Sequence, residues 1–306
     1  MMKIIDLKPR GYCKGVVRAI HLAKKTREQH PESPISILGS LVHNKYIVQA
    51  LKDKGIKTVN DPLKSRLELL DEINEGIVIF SAHGVSQEVK EAAHMKGLTV
   101  IDATCEDVQS THDLIEQAKE KDSEVIYIGK MNHPESLAVI ESFDNIHFVT
   151  NLSDINQLEV DDTKPILVTN QTTLSTLEIQ GLINKIIERY PSAEINNEIC
   201  FATRVRQEAI IKSQDLDALI VVGDPTSNNT AMLARIGENQ GIGHIFRIET
   251  LHDLDLTKLK RDWTIGITSG ASTPNYLTNM VVNYLKEINI DNPSPYPEID
   301  YTRILD

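Results

Sequence analysis

The sequence predicts an α/β protein made of three small α/β lobes in a pseudo-threefold, trefoil-like arrangement. Three features support this fold class, and each occurs three times in the same order along the 306 residues. The first is a cysteine after an extended apolar run. The second is an apolar run that ends in glycine, and the third is an apolar run that ends in a hydroxyl-rich loop. Such alternation of strands and helices predicts small parallel or mixed sheets with helices packed outside them.

The cysteine feature opens each repeat. Extended apolar runs at residues 3–7, 98–102 and 193–196 come shortly before the three cysteines, which are Cys13, Cys105 and Cys200. Apolar residues at helical spacing follow each cysteine. Each repeat therefore begins with a strand, a cysteine and a helix, in that order.

The other two features supply further strands and the loops that follow them. The glycine-ended runs are residues 35–39, 125–129 and 219–223. The runs that end in hydroxyl-rich loops lie within residues 77–86, 166–175 and 264–272. Ligands in open α/β sheets bind beyond the carboxyl ends of strands. We therefore expect the cysteines and these loops to form the functional site.

The period of the repeat predicts the lobe boundaries. The first lobe is expected at residues 14–104 and the second at 105–196. The third is expected to combine residues 1–13 with 197–285. Residues 286–306 include Pro293, Pro295 and Pro297 and are predicted to form an extended C-terminal tail.

Composition narrows the class of partner. Apolar residues make up 41% and charged residues 25%, which is ordinary for a folded domain and excludes a disordered chain. The net charge of −12 disfavours nucleic acid and anionic membranes, although a local pocket can still hold a small anion. No apolar run approaches the roughly 20 residues of a membrane span, and the start lacks the pattern of a signal peptide. A cytoplasmic location is the expectation.

Three cysteines around a threefold axis would form a trigonal set of thiolates. Each lies at a predicted helix start, where the helix dipole favours the thiolate. Thiolates bind zinc, copper(I) and iron–sulfur clusters, and three of them would leave one iron of a four-iron cluster without a protein ligand. Two alternatives stay open, namely three buried free thiols and a zinc site that includes a histidine.

Polar residues of the loops predict an oxyanion site. Three histidines occur in these loops, and they are His43, His83 and His133. Neutral donors accompany them, namely Thr172, Thr173, Ser227, Asn229 and Ser272. Neutral side chains and backbone N–H groups at helix starts can bind phosphate without a basic residue. Of the carboxylates in these loops, Glu135 is the candidate general acid, and Asp224 before Pro225 reads as a turn former.

Four basic residues lie near the cysteines and leave two interpretations open. They are Lys14, Arg18, Arg204 and Arg206. Their charges could balance a bound metal cluster, or their side chains could face solvent.

At the level of motifs the chain resembles the 4-hydroxy-3-methylbut-2-enyl diphosphate reductase family. The shared motifs, in order, are GYCKGV at 11–16, VHN at 42–44, FSAHGVS at 80–86, DATC at 102–105, HPE at 133–135, QTTLS at 171–175, ICFAT at 199–203 with RQ at 206–207, and GAS at 270–272 with Pro274. Several of them are weak alone, but the ordered set is highly specific.

The resemblance implies an oxidoreductase of the methylerythritol phosphate route to isoprenoids. It would reductively dehydroxylate its allylic diphosphate substrate to isopentenyl and dimethylallyl diphosphate. One 4Fe–4S cluster per chain would lie at the centre of the three lobes, held by Cys13, Cys105 and Cys200, with the fourth iron open to the substrate oxygen. The chain has no Gly-x-Gly-x-x-Gly dinucleotide motif, so electrons would come from a separate donor such as ferredoxin or flavodoxin.

The resemblance also assigns roles to the loop residues. Glu135 would supply protons, assisted by His133 and Thr172. Substrate-binding residues would be His43, His83, His133, Thr172, Thr173, Ser227, Asn228, Asn229 and Ser272.

This chain departs from the family pattern at three positions. Glu106 replaces a common proline, Asn132 replaces a common glycine, and Asn228 replaces a common serine at one diphosphate contact. These departures leave open a diverged paralogue with a different substrate. Two other functions also stay open. One is a non-redox enzyme or binding protein for a phosphorylated metabolite, with the cysteines as core thiols, and the other is a zinc-stabilised interaction protein.

Overall fold

The computed structural model describes residues 2–306, which form twelve strands and eleven α-helices. The strands are β1 Lys3–Asp6, β2 Ile35–Leu38, β3 Lys57–Val59, β4 Ile77–Phe80, β5 Thr99–Asp102, β6 Glu124–Ile128, β7 Ile146–Val149, β8 Ile166–Asn170, β9 Glu194–Ile195, β10 Ala218–Val222, β11 His244–Ile248 and β12 Thr264–Ser269. The helices are α1 Lys14–Gln29, α2 Lys45–Asp53, α3 Arg66–Asp71, α4 Gln87–Met95, α5 Glu106–Glu120, α6 Pro134–Ser142, α7 Leu152–Asn156, α8 Thr176–Arg189, α9 Phe201–Ile211, α10 Asn228–Asn239 and α11 Asn275–Glu287.

The strands form three four-stranded sheets in which all the strand pairs are parallel. The strand orders are β1-β12-β10-β11, β3-β2-β4-β5 and β7-β6-β8-β9. Read from the strand that precedes a cysteine, the three orders are identical. Next to that strand lies the one with the hydroxyl-rich loop, then the strand that ends in glycine, and then an edge strand. The predicted α/β class with three small lobes is confirmed.

Each sheet has a second edge strand, on the side away from the strand that precedes a cysteine. These second edge strands, β3, β7 and β11, are the part of each sheet that the sequence did not predict. Their residues are mostly exposed or half-buried, so they lack the continuous apolar run of a central strand. A central strand of a parallel sheet is covered on both faces and is therefore apolar at nearly every position. The strand β10 shows this pattern, because all five of its residues are buried.

Helices cover both faces of the sheet that contains β10. Ile220 and Val222 pack in a core cluster with residues of α11. Leu219 and Val221 pack on the other face with residues of α9 and α10. Full burial of such a side chain stabilises the fold by about 1.5–3 kcal/mol. Because both faces are packed, the strand ends are held rigidly and can position the loops that follow them.

The chain packs into two compact units. The terminal unit contains the segment up to Val17, Val42–Asp53 and Phe201–Asp306, and therefore the sheet with β1 and β12. The central unit contains Arg18–Leu41 and Lys54–Cys200, and therefore the other two sheets. Each sheet draws all its strands from one of the predicted lobes, whose boundaries remain a prediction. In the described residues 2–306, no helix is both long enough and apolar enough to cross a membrane.

The helix α2 belongs to the terminal unit although its neighbours in the chain belong to the central one. The N–H of Lys45, at the start of α2, donates to Asp224 Oδ2 at 3.0 Å. The ammonium of the same residue forms an ion pair with Glu249 Oε2 at 2.6 Å. These contacts attach the segment Val42–Asp53, and with it His43, to the sheet of the terminal unit.

Candidate active site

The three cysteines occupy the same local position in the repeat. Each follows the strand at one edge of a different sheet, namely β1, β5 or β9, and shortly precedes a helix. The N–H of each cysteine donates, at 3.0 Å, to the carbonyl oxygen two residues past the end of the neighbouring strand. These acceptors are Ala271 for Cys13, Ala82 for Cys105 and Thr172 for Cys200. All three thiols are half-buried, and none of them forms a disulfide. The fold therefore supplies three soft donor atoms in one backbone geometry.

The carboxylate of Glu135 lies at the start of α6 in the central unit and is only 2% exposed. Its Oε1 accepts the backbone N–H of Thr172 at 2.6 Å, and its Oε2 accepts the hydroxyl of the same residue at 3.1 Å. Burial raises the pKa of Glu135 from 4.5 to about 7, against the opposing effect of these two hydrogen bonds. A carboxyl group that titrates near neutral pH is suited to general acid catalysis.

The imidazole of His133 caps the N-terminus of the same helix. Its Nδ1 accepts the N–H of Glu135 at 3.2 Å, and Pro134 occupies the first helical position, where proline is favoured. Because Nδ1 is an acceptor, the neutral ring carries its proton on Nε2. The ring is buried and lies edge-on to His83, with 5.6 Å between the ring centroids. Two imidazoles thus lie together, one of them at the helix start that carries the buried acid.

The buried amide of Gln171 ties the loops of this site together, and sequence reasoning missed it. Its Oε1 accepts the N–H of Lys130 at 2.9 Å and the hydroxyl of Ser136 at 3.3 Å. Its Nε2 donates to Thr173 Oγ1 at 3.0 Å. Gln171 lies within the QTTLS motif, but a glutamine next to threonine and serine residues does not by itself indicate a functional position. Its contacts fix the hydroxyl of Thr173 next to Thr172.

Two further acids near the cysteines were also missed. Asp107 Oδ2 lies 3.7 Å from the Cys105 Sγ, and its charge contributes to the raised pKa of Glu135. The pKa of Glu198, two residues before Cys200, is raised by burial and then by the charge of Asp107. Their placement two residues from a cysteine was the available signal. Asp107 is therefore close enough to interact with both the thiol of Cys105 and the carboxyl group of Glu135.

In the terminal unit, hydroxyl groups gather at the start of α10. Ser227 caps this helix by accepting the N–H of Thr230 at 3.3 Å. The hydroxyl of Ser272 donates to the carbonyl oxygen of His43 at 3.0 Å and lies 3.5 Å from the Ser227 hydroxyl. Both serines are buried, as is Asn228 at the first position of the helix. Neutral donors at a helix N-terminus are the chemistry predicted for an oxyanion site.

Asn229 holds in the terminal unit the position that Glu135 holds in the central unit. Each lies six residues after the glycine that ends the preceding strand. Asn229 Oδ1 accepts the N–H of Ala271 at 3.0 Å, just as Glu135 accepts the N–H of Thr172. An amide oxygen cannot bind or release a proton at ordinary pH. Of these two equivalent positions, only the one in the central unit can supply a proton.

Two of the four basic residues donate hydrogen bonds to backbone carbonyl groups. Arg206 is 3% exposed and donates to the carbonyl oxygens of Gly11 at 2.6 Å and Ala202 at 2.7 Å. Arg18 donates to the carbonyl oxygen of Thr104 at 2.8 Å. Each therefore holds the backbone just before a cysteine. The other two, Lys14 and Arg204, are exposed residues.

Asp224 has the turn-forming geometry that its position before proline predicts. Its Oδ1 accepts the N–H of Thr226 at 2.9 Å and the hydroxyl of the same residue at 2.6 Å. With its Oδ2 bound to the N–H of Lys45, its carboxylate is fully engaged in holding the backbone.

Two of the three departures from the family pattern are compatible with the local backbone. Glu106 occupies the first position of α5, where a negative charge interacts favourably with the helix dipole. Asn132 has a positive φ of 61°, and asparagine tolerates this conformation better than most non-glycine residues. The helix starts after Cys105 and His133 are therefore preserved.

The ionisation of Glu135 is expected to destabilise the fold as pH rises. The folded state binds the proton more tightly than the unfolded chain, so the contribution of Glu135 to stability is complete below its unfolded pKa. That contribution is lost as pH rises from 4.5 to about 7. At about 1.4 kcal/mol per pH unit, the loss amounts to about 3 kcal/mol by pH 8.

Chemical denaturation at pH 5 and pH 8 checks this expectation. Glu135→Gln should be the more stable protein at pH 8 and should lack this component of the pH dependence. Glu120→Gln, at an exposed position of α5, is the control and should follow the wild type. An unchanged pH dependence in Glu135→Gln would show that Glu135 is ionised normally in the folded state.

Comparisons with known proteins agree with this arrangement. A family model described as LytB protein matches residues 4–286. The 4-hydroxy-3-methylbut-2-enyl diphosphate reductase of Bacillus cereus (strain B4264) is 45% identical over 301 residues, which cover 97% of this chain and 94% of that protein.

Two solved structures are also similar. The E-1-hydroxy-2-methyl-but-2-enyl-4-diphosphate reductase of Plasmodium falciparum matches with a TM-score of 0.88 and 30% identity, covering 98% of this chain and 95% of that one. A structure described as (E)-4-hydroxy-3-methyl-but-2-enyl diphosphate reductase, the terminal enzyme of the non-mevalonate pathway, matches with a TM-score of 0.65 and 28% identity. It covers 94% of this chain and 100% of that one.

Proposed function

Because the chain belongs to the LytB family of oxidoreductases, we propose that it reduces 4-hydroxy-3-methylbut-2-enyl diphosphate to isopentenyl and dimethylallyl diphosphate. In this reaction the carbon–oxygen bond of the substrate hydroxyl breaks. Two electrons and two protons are consumed, and the oxygen leaves as water. The observation that carries the proposal is the buried, hydrogen-bonded Glu135, whose pKa of about 7 lets it hold a proton at neutral pH.

We propose a 4Fe–4S cluster held by Cys13, Cys105 and Cys200 as the cofactor. The three residues fit this group because they are thiols outside any disulfide, with equivalent backbone positions, and thiolates are the usual ligands of such clusters. When bound, the cluster would supply the electrons and an iron without a protein ligand. The cluster would be re-reduced by an external carrier such as ferredoxin or flavodoxin.

Proton supply is assigned to Glu135 and its two neighbours. The carboxyl group is shielded from water, so its proton is directed to a bound substrate rather than exchanged freely. Thr172 holds the carboxyl oxygens through its N–H and its hydroxyl. The neutral imidazole of His133 would assist as a hydrogen-bond donor through its Nε2–H, because its Nδ1 accepts the N–H of Glu135. Thr172 would also orient the substrate hydroxyl.

Binding of the diphosphate is assigned to neutral donors. The residues assigned to it are Ser227, Asn228, Asn229, Ser272, His43, His83 and Thr173. The buried serine hydroxyls and the start of α10 support the assignment, because a helix N-terminus attracts anions without a basic residue. This choice also suits a chain with a net charge of −12.

The test is turnover of the diphosphate substrate by protein purified without oxygen and supplied with a chemical reductant. We expect both isomeric products, and about four iron and four acid-labile sulfide per chain. Stoichiometric zinc without sulfide would contradict the cofactor assignment. Binding of the substrate without any reduction, in cluster-loaded protein, would instead favour a non-redox protein for a phosphorylated metabolite.

A further inference from the structure

The last residues of the chain fold back onto the terminal unit. Most of the segment after α11 is exposed and lacks regular structure, but a short 3-10 turn forms at Tyr301–Arg303. The two residues after this turn are buried, with 0% exposure for Ile304 and 6% for Leu305. A chain end that buries two large apolar side chains is anchored rather than loose. The LytB family model ends at residue 286, so these contacts lie outside the part of the chain that it matches.

The anchored chain end contacts the residue next to a proposed cluster ligand. The phenol of Tyr12 donates to the carbonyl oxygen of Ile304 at 2.5 Å. Tyr12 immediately precedes Cys13, so this hydrogen bond restrains the backbone that carries the thiol.

Other contacts hold the remaining sides of the same turn. The N–H of Gly11 donates to Ser269 Oγ at 2.8 Å, and its carbonyl oxygen accepts from Arg206. Gly11 has a positive φ of 75°, and a Cβ atom there would lie 1.7 Å from Asn275 Oδ1, so the turn is tightly enclosed. The sheet, α9 and α11 thus contact this turn. The hydrogen bond between Tyr12 and Ile304 adds a contact from the chain end.

The chain end also contacts the segment that carries His43. The ring of Tyr301 packs on the ring of Tyr46 in α2, with 6.2 Å between centroids. The guanidinium of Arg303 lies 4.4 Å from the ring centroid of Tyr276 in α11, which secures the 3-10 turn. The same short segment therefore reaches both the cysteine turn and α2.

We propose that residues 301–305 form a C-terminal latch that positions the 11–13 turn and α2 for ligand binding. The latch rests on the proposed function, in which Cys13 binds the cluster and His43 binds the diphosphate. Within this proposal Tyr12 is a positioning residue, since it acts through the backbone of Cys13.

Hydrogen–deuterium exchange on the full chain as purified tests the latch. The variants are Tyr12→Phe and a deletion of residues 301–306. The control is Tyr296→Phe, which removes another tyrosine hydrogen bond of the tail, that to the carbonyl oxygen of Leu254 at 2.5 Å. We expect about fivefold faster exchange at residues 11–13 in Tyr12→Phe, because one net hydrogen bond is lost. The deletion should have a larger effect and should also speed exchange in α2.

The amides of Cys105 and Cys200 serve as internal references, because both residues belong to the central unit, whereas the latch contacts described above lie within the terminal unit. Their exchange should stay unchanged in every variant, and Tyr296→Phe should match the wild type at residues 11–13. Unchanged exchange at residues 11–13 in Tyr12→Phe would overturn the latch, as would an equal increase at all three cysteines. If the deletion prevents folding, Tyr12→Phe alone decides. None of these outcomes depends on the cluster. If the proposed function proves wrong, the exchange rates will still show whether the latch restrains residues 11–13.

Discussion

Replacing Glu135 with glutamine is expected to slow product formation by about a hundredfold to ten-thousandfold, which is the usual contribution of a general acid. Glutamine keeps the size of the side chain and can still accept the N–H of Thr172, so the fold and substrate binding should persist. It cannot release a proton. The loss should therefore appear in kcat and not in KM.

The pH dependence of turnover separates proton donation from packing. Wild-type turnover should fall as pH rises through about 7, because Glu135 then loses the proton that the reaction consumes. The residual turnover of Glu135→Gln should lack this decline. The measurement is kcat against pH with a saturating chemical reductant, so that electron supply does not limit the rate.

Glu141→Gln is the matched control for this experiment. Glu141 lies on the same helix α6, and burial raises its pKa as well, but it faces Arg66 rather than Thr172. Its replacement should leave kcat within about twofold of the wild type, as for an ordinary surface change. Near-normal turnover in Glu135→Gln would exclude the carboxyl group as the proton donor, whatever its pKa.

The features that sequence reasoning found are those that the repeat displays three times. A strand, a cysteine and a helix start form a local pattern, so Cys13, Cys105 and Cys200 could be placed without knowledge of the fold. Their shared N–H contacts follow directly from that pattern. Half-exposed edge strands such as β7 could not be found in this way, because their composition does not differ from that of a loop.

Contacts between distant segments were out of reach for a different reason. The attachment of α2 to the terminal unit depends on Asp224 and Glu249, which no pattern near residue 45 indicates. The role of Gln171 likewise depends on which loops surround it. The equivalence of Asn229 and Glu135 is visible in the sequence itself, because both lie six residues after a strand-ending glycine.

Replacing any one of the three cysteines with serine is expected to remove the iron of the proposed cluster. Serine keeps the backbone N–H that donates to Ala271, Ala82 or Thr172, so the strand ends should stay in place. A serine hydroxyl is a hard, protonated group at neutral pH and replaces a thiolate poorly as an iron ligand. Iron should fall from about four to less than about one per chain, with loss of turnover.

Because the three cysteine positions are equivalent, the prediction requires the same result from all three single variants. The chain has only three cysteines, so each single variant acts as the reference for the other two. Equal iron loss in all three, with unchanged circular dichroism, is expected because the backbone geometry is the same at each site. A variant that keeps full iron and sulfide would show that its thiol is a packing residue. If Cys13→Ser alone kept its iron, Cys13 would not be a ligand of the cluster.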